Sequence, residues 1–178
     1  MRILIGYFMR SGSTLLQHLL NEHRVVRSFS DLSSLPVLGG MVLGIRPDNI
    51  CIKPPDMLYL WKGIPLLNAF DKRVWLVRDP RDSYLSTIES GYAYLFWRRG
   101  RMEQGIDTGL IRRWRRIQRH YFRDPEGWHL VRYEDLTAHP EQTMRRLFAY
   151  FDIEFDKDIL TFRPFTVLSG GDMKLAEE

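Results

Sequence analysis

Short apolar runs alternate with helical patterns along most of the chain. The runs fall at residues 3–9, 49–52, 74–77 and 128–132, and each has the length of a buried strand. Strands that alternate with helices predict a mainly parallel sheet with helices on both faces, which is an α/β fold. The sequence has no internal repeat and no linker-like segment, so we expect residues 1–178 to form a single domain.

Apolar positions at helical spacing predict the helices between these strands. They fall after residue 13, over residues 57–70 with a break at Pro65, and over residues 82–89, 107–123 and 140–151. In the 107–123 segment, the apolar positions share one face and arginines occupy the others, which is typical of a solvated helix. Residues 24–34 are interpreted as a loop, and residues 35–45 as either a weak helix or a further loop.

A polar turn follows the first apolar run and leads directly into the first helix. It consists of Arg10, Ser11, Gly12, Ser13 and Thr14. A turn at a helix start directs backbone N–H groups and the positive end of the helix dipole towards one point, which suits an anion. Glycine and hydroxyl residues are also common in ordinary turns. The segment lacks the lysine of a nucleoside triphosphatase loop, so an ordinary kinase or ATPase is disfavoured.

The composition suits a globular protein with anionic partners. Of the 178 residues, 44% are hydrophobic, and the formal charge is +4 with a pI near 9.3, which favours anionic partners without choosing among them. A single cysteine, Cys51, excludes an internal disulfide and a cysteine-built metal site. No apolar run is long enough to span a membrane, so we expect a soluble, cytoplasmic protein.

Three cations and one tyrosine stand directly after predicted strands. They are Arg10, Lys53, Arg78 and Tyr133. Because ligands of open α/β sheets bind beyond the carboxyl ends of the strands, these side chains are expected to meet at one edge. Clustered cations are costly without an anion to hold, and each of these residues could otherwise be an ordinary surface or core residue.

The motifs around these residues resemble the sulfotransferase family. The matching segments are Arg10-Ser11-Gly12-Ser13-Thr14-Leu15-Leu16, Lys53-Pro54-Pro55, Val77-Arg78-Asp79-Pro80-Arg81-Asp82 with Ser86, and Val131-Arg132-Tyr133-Glu134-Asp135-Leu136 with His139-Pro140. Each motif is weak alone, but together they stand in family order. The chain looks most like the bacterial and tyrosylprotein sulfotransferases, which have arginine in the first loop.

The resemblance implies a P-loop-like three-layer sandwich that uses 3′-phosphoadenosine 5′-phosphosulfate (PAPS). The sulfuryl group would pass in line to an acceptor hydroxyl or amine, without a metal. Arg10 and residues 11–14 would hold the 5′-phosphate, and Lys53 would reach the transferring oxygens. Arg78 and Ser86 would bind the 3′-phosphate, and Tyr133 would line the adenosine side.

An acceptor hydroxyl also needs a general base near the loop. Asp31 follows Arg10 at the spacing at which the tyrosylprotein branch carries its catalytic glutamate, although the side chain is one methylene shorter. Asp56, just beyond Lys53, is the second candidate. Either residue could instead cap a helix.

The sequence departs from the family at its C-terminal end and leaves other functions open. The late basic loop that closes the 3′-phosphate site in many sulfotransferases has only a poor counterpart in residues 169–174. The short chain also leaves little room for an acceptor pocket, which favours a large acceptor or a pocket completed by a second subunit of a homodimer. The alternatives are a kinase-like P-loop enzyme, a nucleotide-binding protein without turnover, and a polyanion-binding module, although a nucleic-acid partner is not expected.

Overall fold

The computed structural model describes residues 1–45, 47–55, 69–91 and 102–161, and the short strands at 166–167 and 171–172. The strands are β1 Arg2–Tyr7, β2 Arg27–Ser30, β3 Ile50–Lys53, β4 Lys72–Val77, β5 Met102–Glu103, β6 Ile106–Asp107, β7 His129–Arg132, β8 Thr166–Val167 and β9 Gly171–Asp172. The helices are α1 Ser13–Asn21, α2 Ser34–Val42, α3 Pro80–Ser90, α4 Thr108–Arg123, α5 Tyr133–Ala138 and α6 Pro140–Phe151. Short 3-10 turns lie at Asp31–Ser33, Pro125–Gly127 and Lys157–Leu160.

Five strands form one parallel sheet in the order β2-β3-β1-β4-β7. β5 pairs with β6, and β8 with β9, in two small antiparallel hairpins. The predicted α/β fold, with a mainly parallel sheet flanked by helices, is confirmed. All five carboxyl ends of a parallel sheet lie at the same edge, so the residues that follow the strands are brought together there.

The interpretation of residues 24–34 as a loop was wrong. Residues 27–30 form edge strand β2, which pairs with β3 through Ser30 and Lys53. Its sequence, Arg-Ser-Phe-Ser, is polar because none of its residues is fully buried, so it gives no apolar run. Of the two alternatives left open for residues 35–45, a weak helix or a further loop, the structure has the helix α2. The predicted helix at 57–70 lies almost wholly outside the described residues.

Trp75 of β4 occupies the centre of the core, with no exposed surface. Its indole N–H donates to Gln118 Oε1 at 2.9 Å, which satisfies a polar group inside the core. A side chain at Gly6 of β1 would overlap the Trp75 ring and press on Trp128. Glycine is therefore required where β1 passes Trp75, and β1 and β4 are held in close contact beneath the edge where the site lies.

The chain leaves β1 and β4 in opposite directions. α1 leads from β1 towards the β2 side of the sheet, whereas α3 leads from β4 towards β7. Neighbouring strands with diverging connections create a crevice at their carboxyl ends, and ligands of α/β sheets collect in such crevices. Within the described ranges, no helix is long and apolar enough to cross a membrane.

Candidate active site

Each strand of the main sheet delivers a predicted site residue to the same edge. Asp31 follows β2, Lys53 ends β3, and the turn with Arg10 follows β1. Arg78 follows β4, and Tyr133 follows β7. The edge therefore carries a carboxylate at one end, three cations along its middle and an aromatic ring at the other end.

The turn after β1 is shaped by two residues in the left-handed region of backbone space. Arg10 has a φ of 62° and Gly12 a φ of 86°. Gly12 is also the N-cap of α1, where no side chain hydrogen-bonds to the helix start. The first N–H groups of a helix have no partner within the helix, so this helix start can bind an anion.

Tyr133 closes the turn from the β7 side. Its ring lies so close to Gly12 that a Cβ at residue 12 would overlap it. Arg78 stacks on the same ring, with its guanidinium carbon 4.5 Å from the ring centroid, and donates from Nη1 to the Arg10 carbonyl oxygen at 3.3 Å. Stacking on Tyr133 and the hydrogen bond to the Arg10 carbonyl orient the Arg78 guanidinium beside the turn.

Arg10 joins this cluster to α3. Its Nε donates to Ser86 Oγ at 3.0 Å, although the arginine side chain is exposed. The family resemblance implies Arg10 for the 5′-phosphate and Ser86 for the 3′-phosphate, and the structure brings the two side chains into contact. The two candidate phosphate sites therefore adjoin across the crevice between β1 and β4.

The start of α3 is fixed by acceptors on both sides. The Asp79 carboxylate caps the helix by accepting from the Arg81 N–H at 2.8 Å, and Asp79 N–H donates to Glu134 Oε1 at 2.8 Å. The Arg81 guanidinium forms an ion pair with Asp79 at 2.7 Å and holds the pKa of that carboxyl well below its usual range. Among the described residues, no carboxylate pairs with Arg78, whose guanidinium donates to the Arg10 carbonyl of the turn instead.

Lys53 forms a second cluster on the β2 side. It is only 4% exposed, and its Nζ donates to Asp31 Oδ2 at 3.0 Å. Its ammonium also lies 5.2 Å from the centroid of the Tyr7 ring. A buried ammonium requires a charged or polar partner, and Asp31 and Tyr7 supply that partner and direct the Lys53 side chain along the edge.

Asp31 is placed so that one carboxylate oxygen remains available. Oδ2 accepts from Lys53, whereas Oδ1 lies 3.4 Å from the Tyr7 hydroxyl. That hydroxyl has one proton and donates it at 2.8 Å to the Pro54 carbonyl, so its contact with Asp31 is the weaker one. The Asp31 side chain is 46% exposed. It can therefore hold Lys53 and still accept a proton from solvent or from an acceptor.

Tyr7 was not predicted as a site residue. It closes a buried strand, and a buried tyrosine hydroxyl needs a hydrogen-bond partner, which is the signal that could have identified it.

Asp56, the second candidate base, lies outside the described residues. So does most of the late segment 169–174. In the described part of the chain, no group of His, Cys, Asp and Glu side chains has the arrangement of a metal site.

Two buried polar atoms at the turn after β1 fit a bound phosphate. Ser11 is 2% exposed, and within the described part of the chain neither its Oγ nor the buried Nε of Arg78 has a hydrogen-bond partner. Unsatisfied buried groups cost free energy, which a ligand that accepts hydrogen bonds would recover. The donor set of the edge therefore fits a molecule with phosphate groups.

Comparison with known proteins agrees with the resemblance in the motifs. The model of the sulfotransferase family matches residues 71–157. No protein with curated annotation is significantly similar in sequence. The matched segment contains Arg78, Ser86 and Tyr133, whereas the turn after β1 and Lys53 lie before it.

Solved structures of sulfotransferases share the fold at low sequence identity. The sulfotransferase domain from the curacin biosynthetic pathway is 17% identical, with a TM-score of 0.64 over 95% of this chain and 80% of that one. The domain from the Synechococcus PCC 7002 olefin synthase is 18% identical, with a TM-score of 0.59 over 90% and 75%. Mouse sulfotransferase SULT7A1, solved with adenosine 3′,5′-bisphosphate (PAP), is 14% identical, with a TM-score of 0.58 over 90% of this chain and 61% of that one. The chain thus spans less than two thirds of the mouse enzyme.

Proposed function

Since residues 71–157 match the sulfotransferase family and the chain shares the sulfotransferase fold, we propose that the protein is a PAPS-dependent sulfotransferase. It would move the sulfuryl group of PAPS to a hydroxyl or amine of an acceptor. The main support for the proposal is the convergence of five parallel strand ends on one edge, which brings the cations Arg10, Lys53 and Arg78 to that edge. The PAP complex of the mouse enzyme supports the choice of donor.

We infer the role of each residue in donor binding from its position along the edge. The turn at residues 10–14 and the start of α1 would hold the 5′-phosphate, with Ser11 Oγ as a further donor. Arg78 and Ser86 would hold the 3′-phosphate, and Tyr133 would set the angle of Arg78 through the stack. Fixed cations that need no reorganisation during the reaction stabilise developing negative charge most effectively.

Lys53 and Asp31 would act on the acceptor side. When bound, PAPS supplies an activated sulfuryl group that can be transferred in line. Lys53 would lie along the path of the charged oxygens, and Asp31 Oδ1 would take the acceptor proton. Asp56 remains a second proposed base.

The proposal is tested with sulfur-labelled PAPS and a mixture of phenols, alcohols and amines. The wild type should label at least one acceptor. Lys53→Met, which keeps the length of the side chain, should lower transfer about a hundredfold or more while PAP still binds. Lys72→Met is the matched control, because Lys72 lies at the opposite end of β4 and pairs with Asp152 at 2.7 Å. A protein that binds PAP but labels nothing would be a nucleotide-binding protein without turnover.

A further inference from the structure

A pocket of about 450 Å³ lies between α3 and α4, beside the turn after β1. Its walls are aromatic and aliphatic: Phe8, Pro80, Tyr84, Leu85, Ile106, Leu110, Ile111 and Trp114, with Arg81 and Arg115 completing the lining. The volume lies within the range of small-molecule pockets, roughly 300–1,000 Å³. Phe8 lines this pocket, whereas its neighbour Tyr7 contacts Lys53 and Pro54. The pocket is therefore separate from the cluster around Lys53.

Apolar side chains around the pocket are left open to solvent. Leu85 of α3 is 55% exposed, Ile106 of β6 is 44% exposed, and Ile111 of α4 is 40% exposed. These three residues come from different elements and meet at one pocket, so they form a continuous apolar surface rather than scattered exposed side chains. Such a surface is suited to an apolar chain.

The charge beside the pocket is wholly positive on the α4 side. α4 contains six arginines and no Asp or Glu. Arg112 and Arg119 stand three residues before and four residues after Arg115, which places one on each side of it along the helix. All three are exposed, and none has a hydrogen bond or ion pair within the described structure. Repulsion between like charges at this spacing destabilises a helix unless an anion lies among them.

Arg81 makes a different contribution from Arg115. Its guanidinium is already paired with Asp79 at 2.7 Å, so it lines the pocket mainly with its stem. The uncompensated charge is thus on α4, at the side where Arg115 reaches the pocket. An occupant with an apolar body and a single acidic head at that side would satisfy both features.

We propose that the pocket between α3 and α4 binds an acidic amphiphile, with its alkyl or prenyl chain against Trp114 and Leu110 and its phosphate or carboxylate on Arg115. Arg112 and Arg119 contribute attraction from the neighbouring turns. This goes beyond the proposed function, because binding here requires neither PAPS nor turnover.

The test uses dodecyl phosphate, dodecanol and inorganic phosphate, each below its aggregation concentration. Calorimetry measures binding to the full chain. Dodecyl phosphate should bind at least tenfold tighter than dodecanol, and inorganic phosphate should bind weakest. Binding of inorganic phosphate as tight as that of dodecyl phosphate would overturn the proposal.

Substitutions in the pocket distinguish the contribution of the ligand's acidic head from that of its apolar chain. Arg115→Gln should weaken dodecyl phosphate about tenfold, which corresponds to about 1.4 kcal/mol, and leave dodecanol unchanged. Ile111→Trp and Leu85→Trp should fill the pocket from two sides and weaken both ligands. Arg123→Gln, also on α4 but outside the lining, is the matched control and should change neither. Thermal melting confirms that each variant is folded.

Three further results would contradict binding in the pocket. An equal loss in Arg115→Gln and Arg123→Gln would show diffuse attraction to the helix instead of a built head site. Binding to vesicles of anionic phospholipid without binding of monomeric dodecyl phosphate would show a membrane surface instead of a pocket. Unchanged binding in both tryptophan variants would also overturn the proposal.

Discussion

The Asp31 carboxylate contacts Lys53 and is also the proposed general base, and single substitutions can separate the two roles. It accepts a hydrogen bond from the buried Lys53 through Oδ2, while Oδ1 remains nearly free. Its φ of 47° is unusual for a residue other than glycine. Backbone strain of this kind is concentrated at functional sites, which favours a role for Asp31 beyond that of an ordinary loop acid.

Asp31→Asn should lower turnover on the order of a hundredfold or more, because the amide cannot take a proton. Donor affinity should stay the same, since the amide oxygen still accepts from Lys53. Single-turnover transfer and PAP affinity, measured separately, check this. Asp48→Asn is the control, because its side chain is 95% exposed and far from the edge. Full activity in Asp31→Asn with loss in Asp56→Asn would reassign the base.

Gly12→Ala should destabilise the fold by about 2–4 kcal/mol, since it combines a left-handed backbone with overlap on Tyr133. PAP affinity should fall as well, because the ring and the stacked Arg78 would be displaced. Gly39→Ala is the matched control: no atom lies within 4 Å of its would-be Cβ, so the change should be neutral or stabilise α2 by about 0.5–1 kcal/mol. Urea denaturation measures both. Equal stability of the two variants would show that Gly12 is not required.

At the scale of elements, β3 is the best internal reporter of sheet integrity. Cys51 lies in this strand with no exposed surface, and burial raises the pKa of its thiol to about 12. Only the thiolate reacts readily with disulfide reagents, so the folded thiol should be inert at pH 8. Labelling should follow the rate of unfolding and accelerate in urea. Rapid labelling of the native protein would mean that β3 opens locally.

Helices and strands were predictable where their burial requires a recognisable pattern of apolar residues in the sequence. β1, β3 and β4 are buried apolar runs, and α4 shows its buried face through Leu110 and Ile117. β2 was missed because an edge strand with half-buried residues lacks that pattern. The missed strand matters for the site, because it places Asp31 beside Lys53 at a fixed register instead of on a loose loop.

At the scale of the whole molecule, the candidate site was predictable because parallel strands end at one edge. The sequence alone identified Arg10, Lys53, Arg78 and Tyr133 as residues that follow strands, and the sheet order brings them together. It could not reveal the stack of Arg78 on Tyr133 or the hydroxyl of Tyr7 beside Asp31. Such contacts depend on which strands become neighbours, and local patterns carry no information about that order.

Turnover should survive EDTA, since charge compensation would come from Arg10, Lys53 and Arg78. Labelled transfer measured with EDTA and with added magnesium checks this. Equal rates are expected. Loss of activity with EDTA that magnesium restores would favour the kinase-like alternative.

We propose that the strand ends form a site for a nucleotide with a 3′-phosphate. Calorimetry with PAP beside AMP tests it most directly, because the two differ only in that phosphate. PAP should bind at least about tenfold tighter, and Arg78→Ala or Ser86→Ala should remove most of the difference, with about 1.5–3 kcal/mol lost for the arginine. Arg145→Ala, on the exposed face of α6, should keep the full preference. Equal affinity of the wild type for PAP and AMP would show that the strand ends do not form a 3′-phosphate site.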